Sequence, residues 1–276
     1  MQVQNSFKFN FEDLCSKKLI CATKPKSLAL GRRVFCWFEE HQQYWFKTQT
    51  LKSEKVLEDS FQNELEFYLS LTHQQAKNIT LPYQILSHSA EINHFNIAMP
   101  LLVLPHAKCL FVESPQTLST DQIKHKMIQA LSVLENLHKA GWLHADLKAE
   151  HFVEDNTHAK LIDFEQSIKI EDVQNTKALN ATPRYMAPEL FHAEAKSIES
   201  DIYALGIIFY EWLKQERLFA NNYYDWAVLH CQKLEIELPE AYLCFKSILN
   251  AMLHKQKKLR LSDISALKIG LITENV

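Results

Sequence analysis

The residues with the most chemical capacity in this chain fall between positions 142 and 165. Residues 142–153 read WLHADLKAEHFV and residues 160–165 read KLIDFE, which sets two aspartates, Asp146 and Asp163, 17 positions apart. Carboxylates can hold a hard divalent cation through oxygen or take a proton from a hydroxyl. Lys148, two positions after Asp146, adds an ammonium point charge suited to an anionic group. Each aspartate lies beside a short apolar segment able to pair as a strand.

The elements that must position these groups are readable from hydrophobic period. Residues 34–38 (VFCWF) and 44–47 (YWFK) are aromatic and β-branched runs separated by the polar 39–43 (EEHQQ), a hairpin pattern. Residues 56–71 carry apolar side chains at Leu57, Phe61, Leu65 and Leu69, a four-residue spacing that predicts a helix. Extended stretches follow around Tyr83 to Leu86 and Ile97 to Leu104, the second punctuated by Pro100 and Pro105. Ser119 to Gln122 is a capping-box pattern that opens a helix with Ile123, Met127, Ile128, Leu131, Leu134 and Leu137 on one face, and Gly141 sits where its C-terminal cap belongs. Ser200 and Asp201 are expected to start a second, buried helix through Leu213. Pro239 and Glu240 are expected to start a third with Leu243, Ile248, Leu249 and Met252. A strand-rich first part followed by a helical part predicts two lobes with a ligand crevice between them.

Composition narrows the function. Of 276 residues 47% are hydrophobic, enough for a core and against disorder. With 30 Lys and Arg against 33 Asp and Glu, the net charge of −3 argues against a nucleic-acid partner. The chain has only four glycines, which leaves no G-x-G-x-x-G or G-x-x-x-x-G-K-[ST] loop to cradle a phosphate. Six scattered cysteines form no C-x-x-C pair and fit small buried side chains in a reducing compartment. The polar start lacks a signal-peptide pattern, and the longest apolar runs, 97–105 and 202–210, fall short of the roughly 20 residues of a membrane span. The expectation is a soluble, cytoplasmic protein without a transmembrane segment.

The residues around the aspartates resemble the motifs of the eukaryotic-like (Hanks-type) serine/threonine protein kinase superfamily: H-A-D-L-K-x-x-H here for H-R-D-L-K-x-x-N, and D-F-E for D-F-G. Residues 182–189 (TPRYMAPE) look like the segment ending in A-P-E, residues 201–206 (DIYALG) like the buried D-x-x-x-x-G helix start, and Arg260 with the residues after it like the late R-x-[ST] region. Lys47 looks like the strand lysine and Glu64 like the helix glutamate that anchors it. Ordered matches run from about 31 to 266, and the chain looks like a divergent bacterial-type member. The implied fold is α+β and two-lobed. It has residues 1–30 as an N-terminal extension, 31–105 as a small antiparallel-sheet lobe with one main helix, and 106–276 as a larger, mostly helical lobe.

The resemblance implies roles. ATP would be the nucleotide and Mg²⁺ the metal, with Mn²⁺ an alternative. Lys47, held by Glu64, would neutralise the α- and β-phosphates; Asp163 would ligate the metal; Asp146 would accept or orient the proton of the attacking hydroxyl; and Lys148 would reach the transferring phosphoryl group. Thr182 would brace Asp146 and Lys148, while Glu189 paired with Arg260, together with Ser200, Asp201 and Gly206, would be scaffold. Lys148 and the 182–189 segment resemble the serine/threonine branch rather than the tyrosine branch.

Several departures accompany the resemblance. Gly31 alone stands where a glycine-rich loop belongs. Trp45, two before Lys47 and on the same strand face, can fill or reshape the adenine pocket. His151 replaces the asparagine of the second metal site, and imidazole suits Zn, Mn or Fe better than Mg²⁺. Glu165 replaces the glycine after Phe164, where it can add a carboxylate near the metal or point to solvent. Ala145 replaces an arginine that reads activation-segment phosphate, so residues 166–186 are expected to need no phosphorylation to fold. Three functions follow: a protein serine/threonine kinase, a pseudokinase acting as a binding scaffold with Trp45 in the adenine site, and a small-molecule or lipopolysaccharide-core sugar kinase. The last shares the aromatic residue two positions before the lysine and D-x-x-x-x-H-F, here Asp146 to Phe152. The partner is accordingly ATP with a protein or sugar hydroxyl. The intact 182–189 segment and the absence of a basic patch for an anionic membrane face favour the first.

Overall fold

Aromatic and β-branched side chains alternate along residues 32–49, and the backbone follows them into a hairpin. The computed structural model describes residues 9, 20–25, 28, 31–39, 42–49, 55–87, 99–175 and 182–273. These divide into two compact units, one of described residues up to Ala107 together with Ile162–Glu165, the other of Lys108–Leu161 and Gln166 onward.

The first unit is built on five antiparallel strands, β1 (Ile20–Cys21), β2 (Arg32–Glu39), β3 (Gln42–Gln49), β4 (Gln84–Leu86) and β5 (Leu101–Pro105), in the order β1-β2-β3-β5-β4. Both hairpin strands are longer than the apolar runs alone predict, because the ladder pairs Arg32 with Gln49 and Glu39 with Gln42 at its ends. Side chains alternate across the sheet. Trp37 and Phe46, with Leu86, Leu101 and Val103, form the core of one face, against which Phe35 and Tyr44 pack. Val34, Cys36, Trp45 and Lys47 therefore belong to the other. Phe9 closes the core, its ring edge-on to Trp37, Tyr44 and Phe46 at 4.9–5.4 Å and its N–H donating to Gln84 Oε1. One residue of the expected N-terminal extension is thus part of the sheet core; most of residues 1–30 lie outside the described residues.

Between β3 and β4 run α1 (Lys55–Ser70) and α2 (His73–Ile79). The strict four-residue spacing misleads at the far end of α1. Phe61 and Leu65 are buried, but Leu69 is 48% exposed, and Phe67 and Tyr68 are buried in its place. Steps of four advance about 40° per step on a 3.6-residue helix, so the row winds off the buried face within two or three steps. The side chain of Leu57 and residues 97–98 of the second extended stretch lie outside the described residues.

The second unit holds β6 (Lys108–Cys109), α3 (Thr120–Lys139), β7 (Trp142–Leu143), β8 (Phe152–Asp155), β9 (His158–Leu161), β10 (Ile168–Lys169), α4 (Pro188–Phe191), α5 (Ile198–Lys214), α6 (Tyr223–Val228), α7 (Lys246–Met252) and α8 (Ile264–Thr273). The strands form a β6-β8-β9 sheet and a β7-β10 pair. Ser119 and Gln122 make the expected reciprocal capping box of α3, and Gly141 follows its end at φ 86°, a conformation that favours glycine. α5 begins at Ile198, earlier than Ser200 and Asp201 suggest, because Ser197 is the cap and the Ser200 hydroxyl accepts from the Ser197 N–H. The third helix also departs from expectation. Glu240–Phe245 is a 3₁₀ stretch, and α-helical geometry starts only at Lys246. α5 is buried from Ser200 to Leu213, and a Cβ on Gly206 would lie 2.9 Å from Leu253 Cδ2, so glycine permits the close approach of residues just past α7. Among the described residues no helix is long and apolar enough to cross a membrane. The fold is α+β, with an antiparallel-sheet unit carrying one main helix and a larger, mostly helical unit.

Candidate active site

In the first unit, β3 supplies Lys47, α1 supplies Glu64, and the short segment Ile162–Glu165 supplies Asp163 and Glu165. Lys47 Nζ lies 2.6 Å from Glu64 Oε2 and 2.8 Å from Asp163 Oδ1, and it also pairs with Glu165. The lysine is held by α1 because Glu64 sits on the same side as the buried Phe61, Leu65, Phe67 and Tyr68. The Glu64 side chain is 1% exposed. Burial pushes the Glu64 carboxyl above its usual range and the neighbouring Lys47 ammonium works against that push.

Helix α1 also fixes the 163–165 segment. The Phe164 N–H donates to Glu64 Oε1 at 3.2 Å, the Asn63 amide donates to the Glu165 carbonyl at 3.1 Å, and the Phe164 ring stacks on Phe67 with centroids 3.8 Å apart. Asp163 has φ 67°, a left-handed conformation that aspartate tolerates better than most residues. Its side chain stays 37% exposed while Lys47 holds Oδ1. Glu64, Asp163 and Glu165 each bring a carboxylate oxygen within 4.8 Å of the others. Carboxylate oxygens are hard donors of the kind that hold a divalent cation, and here the Lys47 ammonium pairs with all three groups.

Of the two placements open to Glu165, near the metal or toward solvent, the structure does not take solvent: the side chain is 15% exposed and one of its oxygens lies within 4.8 Å of Asp163. Its carboxylate pairs with Lys47 and with Arg32, whose Nη2 donates to Oε2 at 2.8 Å. Arg32 Nε meanwhile donates to Gln49 Oε1 at 3.1 Å. Arg32 and Asn63 were not legible as site residues, since a strand-end arginine and a helix asparagine carry no signal of type or spacing. Trp45 lies on the Lys47 face of β3 and donates its indole N–H to His106 Nδ1 at 3.1 Å.

The second unit gathers a different set. Asp146 Oδ1 accepts from the Thr182 hydroxyl at 2.9 Å and from the Thr182 N–H at 3.2 Å, and its Oδ2 pairs with Lys148 Nζ at 2.8 Å. The loop beneath is set by Asp201 at the start of α5. Its two oxygens accept the His144 N–H at 2.9 Å and the Ala145 N–H at 3.0 Å, and His138 Nε2 lies 3.0 Å away. Burial acts to raise the Asp201 carboxyl, but the hydrogen bond and charge of His138 prevail and hold it below its usual range. Lys196 Nζ donates to the Ala145 carbonyl at 2.8 Å. These bonds over-determine Ala145, which sits at φ 66°, a strained angle for a residue with a Cβ. His151 is buried with its ring stacked on His144, centroids 5.4 Å apart. Arg260 makes a two-pronged pair with Glu189 at 2.6 and 2.9 Å, donates to the Glu199 and His254 carbonyls, and lies over the Tyr203 ring at 4.8 Å. Residues 176–181 of the expected activation segment lie outside the described residues.

Comparison with known proteins identifies the family. The model of the family described as "Protein kinase domain" matches residues 33–271. The chain is 31% identical over 169 residues to the serine/threonine-protein kinase Nek11 of Macaca fascicularis, covering 60% of this chain and 26% of that protein. It is 34% identical over 93 residues to the probable serine/threonine-protein kinase PLK of Dictyostelium discoideum, covering 33% of this chain and 10% of that protein. It is 25% identical over 221 residues to the death-associated protein kinase 2 of Mus musculus, covering 76% of this chain and 59% of that protein. The match thus spans about a quarter of the length of the Nek11 relative.

Proposed function

Because the chain belongs to the protein kinase domain family, we propose that it catalyses ATP-dependent phosphoryl transfer to serine or threonine hydroxyls of a protein. The observation that carries this reading is the Lys47 ammonium held between Glu64 and Asp163. Phosphoryl transfer rests on positioning and charge compensation, and this triad offers both.

In this reading Lys47 neutralises the α- and β-phosphates as a point charge whose location Glu64 fixes. Asp163, more than a third exposed beside Lys47, would ligate the metal. When bound, Mg²⁺ neutralises the phosphate oxygens. His151 stands at the second metal position of the resemblance, where imidazole suits Mn²⁺ better than Mg²⁺. Trp45 bounds the adenine. Asp146, steadied on one oxygen by Thr182 and on the other by Lys148, orients the substrate hydroxyl and receives its proton as the oxygen bonds to the γ-phosphorus and the bond to ADP breaks. Lys148 balances the charge of the moving phosphoryl group. Glu189, Arg260 and Asp201 hold the framework. Among the described residues, Cys21, Cys36, Cys109 and Cys231 are free thiols, which fits action in a reducing cytoplasm.

The test is incubation of the purified chain with γ-labelled ATP, Mg²⁺ or Mn²⁺, and a generic protein substrate, followed by phosphoamino-acid analysis. Label on serine or threonine is the expected result. Nucleotide binding with no label on protein would replace this reading with the small-molecule kinase, and failure to bind ATP with either metal would replace it with a scaffold.

A further inference from the structure

A kinase-like site with four glycines in the whole chain must find its phosphate donors elsewhere. In the segment before β2, where a phosphate-covering loop would sit, three of the described backbone N–H groups are already spent internally. Ala22 N–H donates to the Val34 carbonyl, Leu28 N–H to the Lys24 carbonyl, and Gly31 N–H to the Leu28 carbonyl at 3.1 Å. Gly31 is itself buried at φ 85°. These three donors are committed to strand pairing with β2 and to local turns rather than to an anion.

The next residue offers a replacement. Arg32 opens β2 opposite Gln49, and Lys47 lies two positions along β3 from Gln49, so Arg32 and Lys47 share a sheet face as diagonal neighbours. The Gln49 side chain takes Arg32 Nε, which directs the rest of the guanidinium toward Glu165. The carboxylate of Glu165 therefore bridges two cations, Arg32 and Lys47. A planar oxyanion held by a guanidinium and an ammonium together marks a place where negative charge is favoured. Phosphate oxygens match a guanidinium in the same way that a carboxylate does.

We propose that Arg32 is a phosphate-binding residue, supplying from a side chain the contacts that backbone N–H groups of a glycine-rich loop would make, with Glu165 as the internal anion that competes for it. This deepens, and rests on, the reading of the chain as an ATP-dependent kinase. The consequence is that nucleotide affinity here depends on the charge of residue 32, and that Glu165 weakens it.

The experiment is calorimetric titration of ATP with Mg²⁺, and competition by adenosine, on the full chain as wild type, Arg32→Gln, Arg32→Lys and Glu165→Gln, each checked for folding by circular dichroism. Arg32→Gln keeps a partner for Gln49 and is expected to weaken ATP at least tenfold while leaving adenosine within twofold. Arg32→Lys is expected to recover part of the loss, and Glu165→Gln to bind ATP more tightly than wild type. If wild type binds ATP but Arg32→Gln binds it equally well, or loses ATP and adenosine affinity in parallel, the role given to Arg32 is wrong and the kinase reading stands. If Glu165→Gln binds ATP more weakly than wild type, the competition is wrong. If the wild type binds no ATP, both this inference and the reading beneath it fall. Should Arg32→Gln not fold, Arg32→Lys decides: unchanged ATP and adenosine affinity with Glu165→Gln also unchanged overturns the inference.

Discussion

Lys47 Nζ and Glu64 Oε2 lie 2.6 Å apart, the one on a strand of the sheet and the other on the helix beside it. The glutamate is almost fully buried and the lysine 14% exposed, so the pair anchors a cation that still has an open side. Replacing Lys47 with alanine should therefore abolish nucleotide-dependent stabilisation. With ATP and Mg²⁺ at 100 times the dissociation constant, the wild type should gain roughly 2.7 kcal/mol in thermal denaturation. Lys47→Ala and Asp163→Asn should gain less than a quarter of that. An undiminished gain in Lys47→Ala would remove the lysine from the phosphate site.

The Glu189 and Arg260 pair predicts a stability effect. Both side chains are buried, and Arg260 also serves the Glu199 and His254 carbonyls. Glu189→Ala leaves an uncompensated guanidinium and should cost about 3–5 kcal/mol, a fall in Tm on the order of 10 °C. Double replacement of Glu189 and Arg260 by methionine should recover much of this loss. A single-variant cost below about 1 kcal/mol, measured by denaturant titration, would show the pair to be dispensable.

Helices α3 and α8 carry a pH-dependent contact. Glu135 accepts from Lys139 at 2.8 Å and from Lys268 at 2.6 Å. Burial works to raise its carboxyl, but the two lysines hold it down at about 2. Its folded value is lower than its unfolded one, so its stabilisation is complete above the ordinary carboxylate range and is lost as pH falls from about 4.5 toward about 2. Between those limits Lys268→Met should flatten the decline of Tm with pH. An identical slope in variant and wild type would show that Glu135 does not contribute.

Much of the architecture was legible because period and capping dictate it: the Ser119 box, Gly141 after α3, and the alternation that puts Trp45 and Lys47 on one face. The pairs Lys47 with Glu64 and Glu189 with Arg260 were implied by the resemblance, and the structure brings each together. What stayed illegible depends on tertiary packing. Leu69 fits a helix row yet faces outward, and the turn at 240–245 is 3₁₀ where an apolar pattern reads as α. Arg32 at one end of the chain and Glu165 far along it meet through the fold, and no local pattern links them. The same holds for Lys196, whose hydrogen bond to the Ala145 carbonyl supports a backbone angle that sequence does not announce.

The central claim is that phosphate binding and hydroxyl activation belong to separate groups, Lys47 with Asp163 for the first and Asp146 for the second. The most direct test measures ATP binding and γ-phosphate transfer on the same preparation of Asp146→Asn. Thermal stabilisation by ATP and Mg²⁺ should match wild type while the transfer rate falls by roughly 10²–10⁴. Transfer at the wild-type rate from Asp146→Asn would contradict the account.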